Sequence, residues 1–121
     1  MYRRRRTGEG QRRTGVTVGE VTLGAEELGD DLGERATLVQ FSSAFCAPCR
    51  ATRRVLDEVA AMVPGVSHIE IDAEARLDLV RAVGIARTPT VLVLDARGRE
   101  VRRAAGQPRK ADVIAALGEA V

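Results

Sequence analysis

Short apolar runs alternate with helical stripes along this chain, and their order leaves few folds open. TLVQF (37–41), VSHIEID (66–72) and TVLVLD (90–95) have strand length. The first and last are apolar almost throughout, as strands covered on both faces are. Between them Val55, Leu56, Val59, Ala60 and Val63 recur at three- and four-residue spacing, and Leu77, Val80 and Val83 do the same. That spacing predicts two helices with apolar stripes, one stopped by the Pro-Gly pair at 64–65 and the other by Gly84. VTVGEVTL (16–23) alternates weakly and predicts an edge strand, and GAEELGDDLG (24–33) predicts a short helix. ARGR (96–99) turns the chain into EVRRAA (100–105), whose polarity suits an edge strand in an antiparallel hairpin. Val113, Ile114 and Leu117 form the stripe of a last helix over 111–120. The predicted order is β-α-β-α-β-α-β-β-α. It implies an α/β fold, a central mixed β-sheet flanked by helices on both faces, whose early β-α-β units pair in parallel through right-handed crossovers.

The length of 121 residues suits one domain with its own core. Tyr2, Phe41 and Phe45 are the only aromatics, so Val, Leu, Ile and Ala must fill that core. No stretch approaches the roughly 20 apolar residues of a membrane span. Residues 1–15, MYRRRRTGEGQRRTG, have a charged start but no apolar run of secretory-signal length behind it. We therefore expect a cytoplasmic protein with a disordered Arg-rich tail at 1–15 and one domain at 16–121. The tail holds six arginines against one glutamate, +5, which leaves −3 of the net +2 for the domain. The basic character thus belongs to the tail. A solvated extension is its plainest reading. Contact with nucleic acid or an anionic membrane is the alternative, with no interleaved aromatics beyond Tyr2 to support it. If the natural chain began upstream, the tail would read as the basic flank of a membrane helix, with the domain on the cytoplasmic side.

Cys46 and Cys49 are the only cysteines, and two residues separate them, Ala47 and Pro48. The spacing fits a redox dithiol, half of a metal site, or a pair of inert buried thiols. A structural zinc needs four ligands, and the one remaining soft ligand is His68, so no metal is expected. Inert core thiols are common, yet they give no reason for a proline between two cysteines where a strand gives way to a helix. There the first helical N–H groups lack backbone partners and the helix dipole favours negative charge, so Cys46 should carry a larger thiolate fraction. Cys49 lies about one turn further on the same face, within reach of Cys46. Pro48 falls in the first turn, where its missing N–H costs little. Arg50 adds positive charge beside the pair.

FCAPCR resembles the Trp-Cys-Gly-Pro-Cys-Lys motif of the thioredoxin family, and TLVQFSSAF resembles the strand that leads into it. HIEIDAEARLDLVRAVGIARTPTVLVLDARGREVRRAAG resembles the family's second half, through the Thr-Pro-Thr segment to Gly106. The resemblance spans about residues 16–121 and implies the thioredoxin fold. It implies a thiol–disulfide oxidoreductase that reduces protein disulfides, with Cys46 as nucleophile and Cys49 as the thiol that resolves the mixed disulfide. It implies a cis Pro89 facing the cysteines and a Thr88 backbone offered to a substrate strand. Phe45, Ala47, Pro48, Thr88, Pro89 and Gly106 would shape the site. No cofactor would be bound, and electrons would arrive from NADPH through a flavoprotein reductase, a link in electron transport. The partners would be disulfide-containing proteins and that reductase. Two alternatives share the fold: a redox-sensing or membrane-proximal binding module with little turnover, and an oxidase or isomerase in an exported setting.

The departures from the family pattern concentrate at the site. Phe45 replaces tryptophan and Ala47 replaces glycine. Gln40 stands where the family has a buried aspartate thought to help deprotonate the second cysteine, and His68 stands where a paired lysine falls. An amide cannot take that proton. Gln40 and His68 are therefore read in two ways, as one buried polar pair swapped for another, or as a proton relay in which His68 accepts the proton of Cys49.

Overall fold

The computed structural model describes residues 16–17 and 21–121, so the tail at 1–15 lies outside the described residues. The elements are β1 (Val16–Thr17), α1 (Ala25–Leu28), β2 (Ala36–Ser42), α2 (Ala47–Met62), β3 (Val66–Asp72), α3 (Leu77–Val83), β4 (Thr90–Asp95), β5 (Glu100–Ala105) and α4 (Lys110–Ala120). This is the predicted order. The five strands form one sheet in the order β1-β5-β4-β2-β3. β2 lies between a parallel β3 and an antiparallel β4 and is buried along its whole length, as an apolar run without alternation requires.

Successive side chains of the central strands point to opposite faces and build two cores. Val39 and Phe41 of β2 join Ile69, Ile71, Leu92 and Leu94, with Leu28 of α1 and Leu79 and Val83 of α3. Ala36 and Leu38 join Val91 and Val93, with Leu56 and Val59 of α2 and Val113, Ala116 and Leu117 of α4. Gln40, next on the second face, is the polar residue that this alternation turns toward α2.

Four local expectations need correction. The first β-α-β unit is not a parallel pair: β1 pairs antiparallel with β5, so it runs opposite to β2, and β5 is not an edge strand. Glu100 explains the placement. Its side chain is fully buried and ion-paired to Arg103, its backbone N–H donates to Val21 O at 2.7 Å, and its Oε1 accepts from Val21 N–H at 3.3 Å. The segment entering the domain is thereby held on the β5 side. In α3 the buried residues are Leu79 and Val83, while Leu77 opens the helix and is largely exposed. In α4 Ala116 takes the inward place and Ile114 faces outward.

Candidate active site

β2 ends at Ser42, and the chain crosses Ser43, Ala44 and Phe45 before α2 begins. Phe45 is fully exposed and has φ +56°, a left-handed conformation that a bulky residue seldom takes. Cys46 is the N-cap of α2, and its Sγ accepts the Cys49 backbone N–H at 3.2 Å. Its carbonyl also accepts from Cys49 N and Arg50 N, at 3.1 and 3.2 Å. Ala47 and Pro48 fill the first two helical positions, where the missing proline N–H leaves no bond unmade. Cys46 and Cys49 form a disulfide, with Cα atoms 5.2 Å apart. Cys46 is half-buried, whereas Cys49 is 1% exposed.

The Thr88–Pro89 peptide is cis. Thr90 Oγ1 donates to Arg87 O at 2.6 Å, and Gly106 N donates to Pro89 O at 2.7 Å, which closes the loop on both sides. Gly106 has φ +92°, a left-handed conformation that favours glycine. The Ser43 and Thr88 hydroxyls meet at 2.8 Å and bind this loop to the one before Cys46.

Gln40 and His68 lie beneath the disulfide. Gln40 Nε2 donates to Cys49 O at 2.7 Å and to Ser42 Oγ at 2.9 Å. Its Oε1 is 3.2 Å from His68 Nε2, and His68 Nδ1 is 2.7 Å from Asp57 Oδ1. The two residues read from sequence as a pair are thus one pair, but the pair meets the Cys49 carbonyl through Gln40. Beside it Arg53 holds Glu70 through two bonds of 2.7 and 2.8 Å. The Arg53 hydrogen bond draws the Glu70 carboxyl below the usual carboxylate range. Partial burial opposes that shift, and Ser42 and the charges of Arg53 and His68 add to it. Among the described residues, no group of three or more His, Cys, Asp or Glu could hold a metal ion.

Sequence reasoning missed Ser43, Asp57 and Ser42. For Asp57 a signal existed: Cys49, Arg53 and Asp57 fall at four-residue steps on one helical stripe, and His68 and Glu70 share one face of β3.

A disulfide at a helix N-cap, with one cysteine half-buried and the other buried, defines the class of thiol–disulfide oxidoreductases. The thioredoxin family model matches residues 21–119. The thioredoxin of Chlamydia muridarum is 29% identical over 89 residues, covering 74% of this chain and 86% of that protein. The thioredoxin of Alicyclobacillus acidocaldarius is 32% identical over 88 residues, covering 72% and 83%. Among solved structures, a mutant thioredoxin from Halobacterium salinarum superposes with a TM-score of 0.66 at 20% identity, covering 72% of this chain and 75% of that one. The chain belongs to the thioredoxin family, and its activity is thiol–disulfide exchange.

Proposed function

We propose that the protein works as a reductase of disulfides in partner proteins, with Cys46 as the attacking sulfur and Cys49 as the resolving one. The observation that carries this division of labour is the unequal burial of two sulfurs already joined in one disulfide. In the reduced protein the Cys46 thiolate attacks a partner S–S bond. A Cys46–partner disulfide forms and the displaced partner sulfur takes up a proton. Cys49 then attacks Cys46 Sγ as a thiolate. The Cys46–Cys49 disulfide forms, the second partner sulfur leaves as a thiolate and takes up a proton from water, and two electrons have moved to the partner. Charge on Cys46 is supported by the Cys49 N–H and the dipole of α2.

Phe45 and Thr88 supply the partner-facing surface beside the half-buried Cys46, Phe45 by apolar contact and Thr88 by its backbone, while the buried Pro89 shapes the loop behind them. Electrons return to the dithiol from NADPH by way of a flavoprotein reductase, and no cofactor resides in the domain. A reductase of this kind works where thiols are kept reduced, which makes the cytoplasm its setting. The test is dithiothreitol-driven and reductase-driven reduction of insulin. Turnover lost in Cys46→Ser supports the proposal. Turnover retained in that variant, or absent from the native chain, refutes it.

A further inference from the structure

We propose that His68 serves Cys49 as a fixed cation acting through Gln40, and that it is not the base that takes the Cys49 proton. Each bond in the chain determines the next. The Cys49 carbonyl oxygen can only accept, so the Gln40 atom 2.7 Å from it must be the amide nitrogen. The reversed amide would set two acceptors against each other. Gln40 Oε1 therefore faces His68, and His68 Nε2 must donate to it. On the other side His68 Nδ1 lies 2.7 Å from a carboxylate oxygen of Asp57, which also only accepts. Both ring nitrogens have a donor's role, and only the imidazolium fills both.

Burial works against a charge at His68, whose side chain is only 8% exposed, so the imidazolium depends on the groups around it. Asp57 from α2 is in contact with it, and Glu70 lies two residues along β3, paired to Arg53 of α2. β2 contributes only the neutral Gln40. The cation draws electron density toward Gln40 Oε1 and strengthens the N–H that Gln40 gives to Cys49. The amide therefore turns the positive end of its dipole to the first turn of α2. When the disulfide opens, that dipole favours negative charge on Cys49. With both ring protons in place, His68 has no site for a third. The proton of Cys49 passes to solvent water as the thiolate forms. His68 and Gln40 are positioning residues in this scheme.

The inference rests on Cys49 being the resolving thiol, but its test needs no turnover, so insulin reduction and this test can fail separately. His68 is the only histidine in the chain, so nitrogen NMR of the histidine ring reads it without assignment ambiguity. The oxidised protein near neutral pH should show both ring nitrogens protonated. A neutral ring overturns the proposal. In a Cys46→Ser background, the ultraviolet absorbance of the Cys49 thiolate is then followed against pH. His68→Gln keeps a donor toward Gln40 but no charge, and Asp57→Asn removes the carboxylate that holds the ring. Each should lower the Cys49 thiolate fraction near neutrality by roughly 3- to 10-fold, the scale of one ordinary hydrogen bond, since the charge acts through the Gln40 amide and not directly. An unchanged or larger fraction in either variant overturns the proposal. Should His68→Gln fail to fold, Asp57→Asn decides alone, since the Asp57 side chain is 63% exposed and no core depends on it.

Discussion

The hydroxyls of Ser43 and Thr88 lie 2.8 Å apart although 45 positions separate them in the chain. One bond thus sets the distance between the loop that carries Phe45 and Cys46 and the loop that carries Pro89. Ser43→Ala should loosen that distance without touching either sulfur. KM for a protein disulfide should rise about 2- to 5-fold, with kcat nearly unchanged and a stability loss of about 0.5–1.5 kcal/mol. Steady-state kinetics with insulin, alongside urea unfolding, checks both parts. A fall in kcat at constant KM would contradict the spacing role.

The burial of the two sulfurs predicts two different failures. Cys46→Ser should abolish turnover, because the half-buried sulfur at the helix N-cap is the one a partner can reach. Cys49→Ser should instead leave the partner attached through Cys46, since nothing resolves the mixed disulfide. Mass spectrometry after mixing with an oxidised substrate distinguishes the two. Adduct on Cys49 in the Cys46→Ser protein would reverse the assignment.

Phe45 combines full exposure with φ +56°, so its side chain gains nothing from folding and its backbone is constrained. Phe45→Gly relieves the left-handed cost of roughly 1–2 kcal/mol and gives back part of it as unfolded-state entropy. Stability should be unchanged or up by about 1 kcal/mol. KM for protein substrates should rise, while the rate with a small disulfide stays the same. A destabilised variant would mean that Phe45 packs against something in the folded protein.

The Arg53–Glu70 pair predicts part of the acid response. The folded state holds the Glu70 carboxyl below its ordinary value, chiefly through the Arg53 hydrogen bond. Its contribution to stability is therefore full above the ordinary glutamate range and is lost as pH falls through the lowered folded value. Arg53→Gln removes the bond and should flatten the acid limb of stability below about pH 5. Urea midpoints of both proteins across that range check it. Parallel limbs would show that Glu70 is not linked to folding.

Much of this was legible from residue types alone. The largely apolar TLVQF, of strand length and without alternation, pointed to a strand covered on both faces, and the junction after it made the cysteine pair a helix-end feature. Pro89 became cis only through the family resemblance, because nothing local in Arg-Thr-Pro-Thr compels that isomer. The place of β1 was hidden because it depends on Glu100, a residue 79 positions from the Val21 it binds. Leu77 and Ile114 misled for another reason. Each matched a helical period that tolerates neighbouring positions; α3 begins at Leu77 and buries Leu79, and α4 buries Ala116 between Val113 and Leu117. Asp57 went unnoticed although it continues the stripe of Cys49 and Arg53, because only the placing of β3 against α2 shows that this stripe meets His68.

A protein-disulfide reductase needs Cys46 and Cys49 to be a reversible two-electron couple poised below its substrates. Equilibration with glutathione and dithiothreitol buffers, with mass detection of the intramolecular disulfide, measures the potential of that couple. One reversible transition near the thioredoxin value of roughly −270 mV is the expected result. A potential of about −120 to −180 mV, in the range of oxidases and isomerases, would contradict the reductase reading, as would the absence of a disulfide at every poise.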